Sequence, residues 1–200
     1  MTKRSSELNL VFSTPIWTTQ ILNYRELNNK MFKYIKDLQM QNPKGITKSN
    51  LFGWHSNDFD LENEQPKYFI NSISKNLNQA FNDMGWDVKN QEVKVTSMWS
   101  VINKKNASNA RHIHSNNYIS AAYYVKTSKN SGDIIFHDPR SVTTFRYPKI
   151  SERNTLNSNV FSIKPKEGLL VLFPSYLYHS VDFNRTEEER IVISFNINLL

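Results

Sequence analysis

The chain reads as a mainly β protein, a sandwich or barrel with two helices packed on its outside. Three observations lead there. In two stretches of the first half apolar residues recur at spacings of three and four; in the second half they alternate or run together over short segments; and polar turn clusters separate those segments.

Taken in order, residues 9–17 form a short extended stretch broken at Pro15. Residues 24–41 then place Leu27, Met31, Tyr34, Ile35 and Leu38 on one helical face, and Asn42-Pro43 ends that helix. A turn-rich section covers 44–60. Residues 68–84 repeat the helical pattern with Phe69, Ile73, Leu77 and Phe81, and Gly85 stands where a C-cap belongs. From Glu92 the period becomes two: Val93, Val95, Ser97 and Trp99 alternate with Lys94, Thr96 and Met98. Further extended runs are expected at 118–126, 133–137, 168–173 and 190–199, with turns at 103–109, 127–132 and 185–189. No linker divides the chain, so a single domain over 1–200 is expected, with 1–90 as helical support and 91–200 as the β core.

Composition narrows the chemistry. Two hundred residues contain no cysteine, which excludes disulfides, thiolate metal sites and a cysteine nucleophile. The material left for metal or acid/base work is five histidines and 18 carboxylates. The net charge of +7 divides by fifty-residue blocks into +5, −3, +6 and −1, so no basic tail exists and nucleic-acid binding is disfavoured. The basic third block, which includes Arg111, Arg140 and Arg146, suits an anionic substrate or a solvated surface. No apolar run reaches the roughly 18 residues of a membrane helix, and the first nine residues lack a signal-peptide core. An intracellular, cytoplasmic protein without membrane partners is expected.

Three of the histidines define a possible site. His112 and His114 lie two apart at the end of a predicted strand, and strand alternation puts such a pair on one face. His179 follows the buried run 168–173 and a Pro174-Ser175-Tyr176 turn. In a barrel, distant strands become neighbours, so the three imidazoles suit Fe, Zn, Cu or Ni with coordination positions left open. Singly, each is as well read as a surface or hydrogen-bonded core histidine. Arg190 opens the apolar strand Ile191-Val192-Ile193-Ser194-Phe195 and, if it points inward, needs an anion; a planar guanidinium matches a carboxylate. Ion pairing with Glu187, Glu188 or Glu189, or a place in water at the strand mouth, is the alternative.

In order and spacing, RHIHSNNYISAAYYVKTSKNSGDIIFHDPR, then GLLVLFPSYLYHSVDF, then ERIVISFNI resembles the Fe(II)/2-oxoglutarate-dependent oxygenases, near their prolyl-hydroxylase-like branch. GWHS at 53–56, SGDIIFHDPR and LVLFPSYLYHSV are similar to a group of such oxygenases from bacteria and phages, which places the protein in a bacterial or phage-infected cell. The resemblance implies a double-stranded β-helix, a jelly roll of cupin-like shape. It also implies a dioxygenase that uses Fe2+, 2-oxoglutarate and O2, hydroxylates a C–H bond of a peptide side chain or small molecule, and releases succinate and CO2.

Residue by residue, the resemblance implies that His112 is the first iron ligand and His179 the distal one. Arg190 falls at the position that binds the far carboxylate of 2-oxoglutarate, Tyr124 at one that often helps, and Ser194, on the same face as Arg190, offers a hydroxyl. The family usually places an aspartate where this chain has His114. Three ligand sets follow: His112, His114 and His179 together; Asp138 in place of His114; or two histidines alone. The first requires no rearrangement. No catalytic group beyond the ligands is expected, while His55, His137 and Arg140 are candidates for substrate contact. Apolar walls are expected from Ile119, Ala121, Leu172 and Ile193. Two rivals share the barrel: a cupin-type metalloprotein without 2-oxoglutarate, and a non-enzymatic binding module. No acid lies between Asn116 and Ala122, where a cupin would place its glutamate.

Overall fold

The computed structural model describes residues 6–140 and 148–200. Arg146 of the basic block and the first five residues lie outside them. Among the described residues, eleven strands and two helices occur in the order β1 (Trp17–Gln20), α1 (Tyr24–Gln41), β2 (Asn50–Leu51), β3 (Trp54–His55), α2 (Glu64–Asp83), β4 (Val93–Asn103), β5 (Ser108–His112), β6 (Ile119–Lys126), β7 (Ile134–His137), β8 (Val160–Ile163), β9 (Leu169–Pro174), β10 (His179–Val181) and β11 (Arg190–Leu199).

Helix α1 follows its apolar periodicity, burying Leu27, Met31 and Ile35, and ends where Pro43 can offer no further amide. Helix α2 starts four residues before the predicted boundary. Pro66 falls in its first turn, where an amide hydrogen has no intrahelical acceptor, so the proline is tolerated there and is itself buried. Gly85 follows the helix with φ +69°, the left-handed conformation of a C-cap. Strand β1 forms only beyond Pro15. The pairs β2 and β3, each of two residues, arise inside the section expected to be turns; segments that short carry no readable period. β8 and β10 are likewise too short to have been read from alternation.

The strands form two antiparallel sheets, one ordered β1-β9-β6-β11-β4-β3 and the other β2-β5-β10-β7-β8. Along the chain from β4 to β11 the strands pass between the sheets, which is the double-stranded β-helix expected. Both helices pack on the outer face of the six-stranded sheet, where Phe69, Ile73, Leu77 and Phe81 meet Tyr123, Leu170, Ile193 and Phe195. Each such fully buried side chain contributes about 1.5–3 kcal/mol. A smaller core of Ala122, Tyr124, Ile134, Phe136, Val171, Phe173, Leu177 and Val192 lies between the sheets. β6 is buried almost throughout because both its faces are covered.

Parity along these strands decides what reaches the site, and two expectations change. The register of β11 against β4 slips between Asn196 and Ile197, which pair with Ser97 and Val95, so Thr96 bulges out. Val95 therefore shares the helix side with Met98 and Ile102, and Trp99 is turned towards the interior. The expected walls are also one residue out of phase. Ile119, Ala121, Leu172 and Ile193 belong to the helix-facing cluster, and of the four only Ala121 also borders the cavity. The apolar lining comes instead from their neighbours Ala122, Phe173 and Val192, with Ile134. Among the described residues, no helix is long and apolar enough to cross a membrane.

Candidate metal centre

His112 is the last residue of β5 and pairs directly across the ladder with His179, the first of β10. His114 lies past the end of β5, so its position does not come from strand alternation. Its backbone amide donates to the Ser175 carbonyl at 3.0 Å, which pins the segment after β5 to the turn after β9. One ligand nitrogen from each of the three lies within 4.8 Å of the others. The Nε2 atoms of His114 and His179 are 3.3 Å apart. Two nitrogens about 2.1 Å from one ion have that separation at an angle of about 100–105°.

Tautomer and charge suit a cation. His112 Nδ1 donates to the Ala110 carbonyl at 2.7 Å, and His179 Nδ1 to the Leu177 carbonyl at 3.0 Å, which leaves both Nε2 lone pairs for the centre. Burial pushes the His114 imidazole down to about 4 and that of His179 down to about 3, with repulsion from neighbouring rings adding to it; burial lowers His112 as well. All three imidazoles are neutral at neutral pH.

The other expected site residues are spread around this centre. Asp138 is outside the three-histidine group. Its carboxylate is engaged by Arg140 through Nη2 at 2.7 Å, Nε at 3.0 and 3.2 Å and the backbone amide at 2.9 Å. Those bonds hold Asp138 below the usual carboxylate range, and the Arg140 side chain is largely exposed. His137 alternates with the inward Phe136 and pairs with Ser180 Oγ at 3.0 Å, off the cavity lining. His55 is buried, its ring stacked on Trp99 with centroids 5.8 Å apart. Trp99, Val101, Asn109 and Ser49 line the cavity and were not anticipated; the bulge at Thr96 hides the first two from simple alternation.

The same cavity is also lined by Arg190, Tyr124 and Ser194. Arg190 is 2% exposed, and Nη1 donates to the Gly132 carbonyl at 3.0 Å, while Nε has no partner among the described residues. Its three nearest acids in sequence are occupied elsewhere: Glu187 pairs with Lys105, Glu188 with Lys126 at 3.0 Å and Glu189 with Lys36 at 3.1 Å. Gly132 has φ +97°, and a Cβ there would lie 2.2 Å from the Asp182 carbonyl oxygen, so the loop that presents its carbonyl to Arg190 needs glycine. Burial raises Tyr124 to about 12 despite the opposing pull of Arg190, so it remains a neutral hydroxyl. A buried guanidinium with an unpaired Nε is a site for a carboxylate, and three neutral imidazoles are a donor set for divalent iron. Both fit the expected groups.

Residues 97–196 match the family described as "Putative 2OG-Fe(II) oxygenase". No curated protein matches by sequence. Among solved structures, a Pseudomonas putida prolyl-4-hydroxylase is 12% identical with a TM-score of 0.65, over 93% of each chain. The collagen prolyl hydroxylase of Paramecium bursaria Chlorella virus-1 is 12% identical with a TM-score of 0.59, over 91% of this chain and 94% of its own. HygX from Streptomyces hygroscopicus, solved with nickel and 2-oxoglutarate bound, is 11% identical with a TM-score of 0.62, over 92% of this chain and 83% of its own. These likenesses share the double-stranded β-helix, and the family match sets aside both the cupin without 2-oxoglutarate and the binding module. The match spans His112, His114, His179 and Arg190, and the chain belongs to the 2OG-Fe(II) oxygenases, enzymes that use Fe2+, 2-oxoglutarate and O2.

Proposed function

We propose that the protein hydroxylates a C–H bond of a peptide side chain, with a small molecule as the second substrate class. In this reading His112, His114 and His179 hold Fe2+ and Arg190 holds the far carboxylate of 2-oxoglutarate, aided by Tyr124 and Ser194. The observation that carries it is Arg190: a fully buried cation, its sequence-adjacent Glu187, Glu188 and Glu189 paired with lysines, in the same cavity as the three imidazoles. The peptide preference rests on likeness to prolyl hydroxylases.

Bound Fe2+ with O2 supplies the oxidation of a C–H bond coupled to conversion of 2-oxoglutarate into succinate and CO2. The chain's residues do the positioning. Backbone carbonyls fix the Nδ1 protons of His112 and His179, so their lone pairs face one point. Arg190 would hold the far carboxylate of the co-substrate, and Tyr124 offers a neutral hydroxyl in the same cavity. Ala122, Phe173, Val192 and Ile134 exclude water from the space between.

The test is succinate release by protein prepared without oxygen, loaded with Fe2+ and 2-oxoglutarate, and screened against proline-containing peptides and small metabolites. Peptide-stimulated succinate formation with one added oxygen atom on the peptide is expected. Stimulation by small molecules alone moves the substrate to the second class, and no succinate under any condition overturns the proposal.

A further inference from the structure

His112 and His179 are anchored by backbone carbonyls at Nδ1, but His114 has no such anchor: among the described residues its ring makes one polar contact, the Nε2 approach to His179. What holds the ring instead is a stack. The His114 ring meets that of His179 edge to edge at Nε2, with centroids 5.1 Å apart at 8°, has the tilted His112 ring at 5.1 Å and 57°, and stacks on Trp99 at 5.4 Å and 25°. His55 stacks on Trp99 at 5.8 Å and 10°. A column of three rings, His114, Trp99 and His55, thus runs from the candidate metal centre to β3.

The far end of the column is rigid. His55 Nδ1 donates to the Ser56 carbonyl at 2.6 Å, Ser56 Oγ accepts from the Ser100 amide at 2.9 Å, and the Ser56 amide donates to the Ser100 carbonyl at 2.9 Å. Gly53 lies so close to Asn103 that a Cβ there would come within 2.3 Å of its Oδ1, which lets β3 close against β4. Trp54 Nε1 donates to the Asn42 carbonyl at 2.9 Å, tying the strand to the end of α1. The GWHS segment is therefore a clamp, and His55 is the part that bears on Trp99.

We infer that Trp99 and His55 are positioning residues for His114, a ring-stacking device needed because an imidazole stands where the family usually places an aspartate. A ligand ring without a hydrogen-bond anchor turns about its Cβ–Cγ bond, and a flat contact with Trp99 on one face hinders that rotation. A carboxylate at this position has no ring to stack and would gain little from the column. The inference rests on His114 being a ligand, as proposed above.

The test is a double-mutant cycle read by Co2+ affinity and the Co2+ absorption spectrum of the whole protein, without turnover. Trp99→Leu is expected to weaken Co2+ binding about tenfold in the natural chain, the lower end of what outer-layer changes cost a metal site. In the His114→Asp background the same change should cost less than about twofold. Trp99→Phe and His55→Phe should retain most of the affinity because they keep a flat ring, whereas His55→Ala should lose part of it. Equal losses in both backgrounds, or full affinity in Trp99→Leu, would overturn the inference. If Trp99→Leu does not fold, Trp99→Phe and His55→Ala carry the cycle. The ligand reading is tested separately by His114→Ala: if that change leaves affinity intact, the ligand reading fails, and if it alone weakens binding, the stacking inference fails.

Discussion

The two faces of the six-stranded sheet use the same strands for opposite purposes. On the outer face, Tyr123, Leu170, Ile193 and Phe195 meet the apolar stripe of α2, and Asn28 of α1 accepts from the Tyr123 hydroxyl at 2.6 Å. On the inner face, one residue along each strand, lie Tyr124, Val192, Ser194 and the unpaired Nε of Arg190. The outer face is closed by its own contacts, whereas the inner face leaves polar groups waiting for ligands. Stability and function are divided by strand parity, and a shift of one residue exchanges them.

The sharpest way to break this division is His179→Ala, which is expected to abolish iron binding while the protein still folds; metal content by elemental analysis checks it. On the outer face, Phe69→Ala should cost about 3–5 kcal/mol in denaturant unfolding and leave the 2-oxoglutarate affinity of the folded protein within about twofold. Arg190→Ala should do the reverse. Loss of one partner of a buried charge pair costs about 2–5 kcal/mol, so the dissociation constant for 2-oxoglutarate should rise on the order of a hundredfold by calorimetry. The melting temperature of the ligand-free protein should not fall in step, because the guanidinium bonds to the Gly132 carbonyl rather than to a carboxylate and Asp133 acts on it only through its charge.

A smaller effect concerns pH. The imidazoles of His114 and His179 are held at about 4 and about 3, below the ordinary 6.5 of an unfolded histidine, so the unfolded state binds more protons as pH falls. Their effect on the stability of the metal-free protein is neutral above about 6.5 and becomes increasingly unfavourable as pH drops from there towards 3. Thermal melts at successive pH values should show that decline, with a shallower one in His179→Ala. Smallest of all, His137→Ala should leave iron and 2-oxoglutarate binding unchanged within about twofold, since its ring pairs with Ser180 off the cavity.

Much of this was readable from residue order. The apolar periodicity of α1, the runs of β6, β9 and β11, and the shared face of Arg190 and Ser194 follow from spacing, while the inward direction of that face is settled only in the folded barrel. What alternation could not supply is where it fails. The bulge at Thr96 reverses the phase of β4 and turns Trp99 inward, and His114 owes its place to a backbone bond with Ser175 rather than to a strand. β2 and β3 are too short to show a period, so the clamp around His55 emerges only when β3 is seen against β4. Asp138 looked available as a carboxylate because its bonds to Arg140 depend on the geometry of the turn they share.

The central claim is that three imidazoles and one buried arginine on the inner face form the oxygenase site. An anaerobic crystal structure with Fe2+ and 2-oxoglutarate tests it most directly. The expected result is iron bound by Nε2 of His112, His114 and His179, with the far carboxylate of 2-oxoglutarate on Arg190. Iron held by Asp138, or by only two of the histidines with His114 turned away, would contradict it.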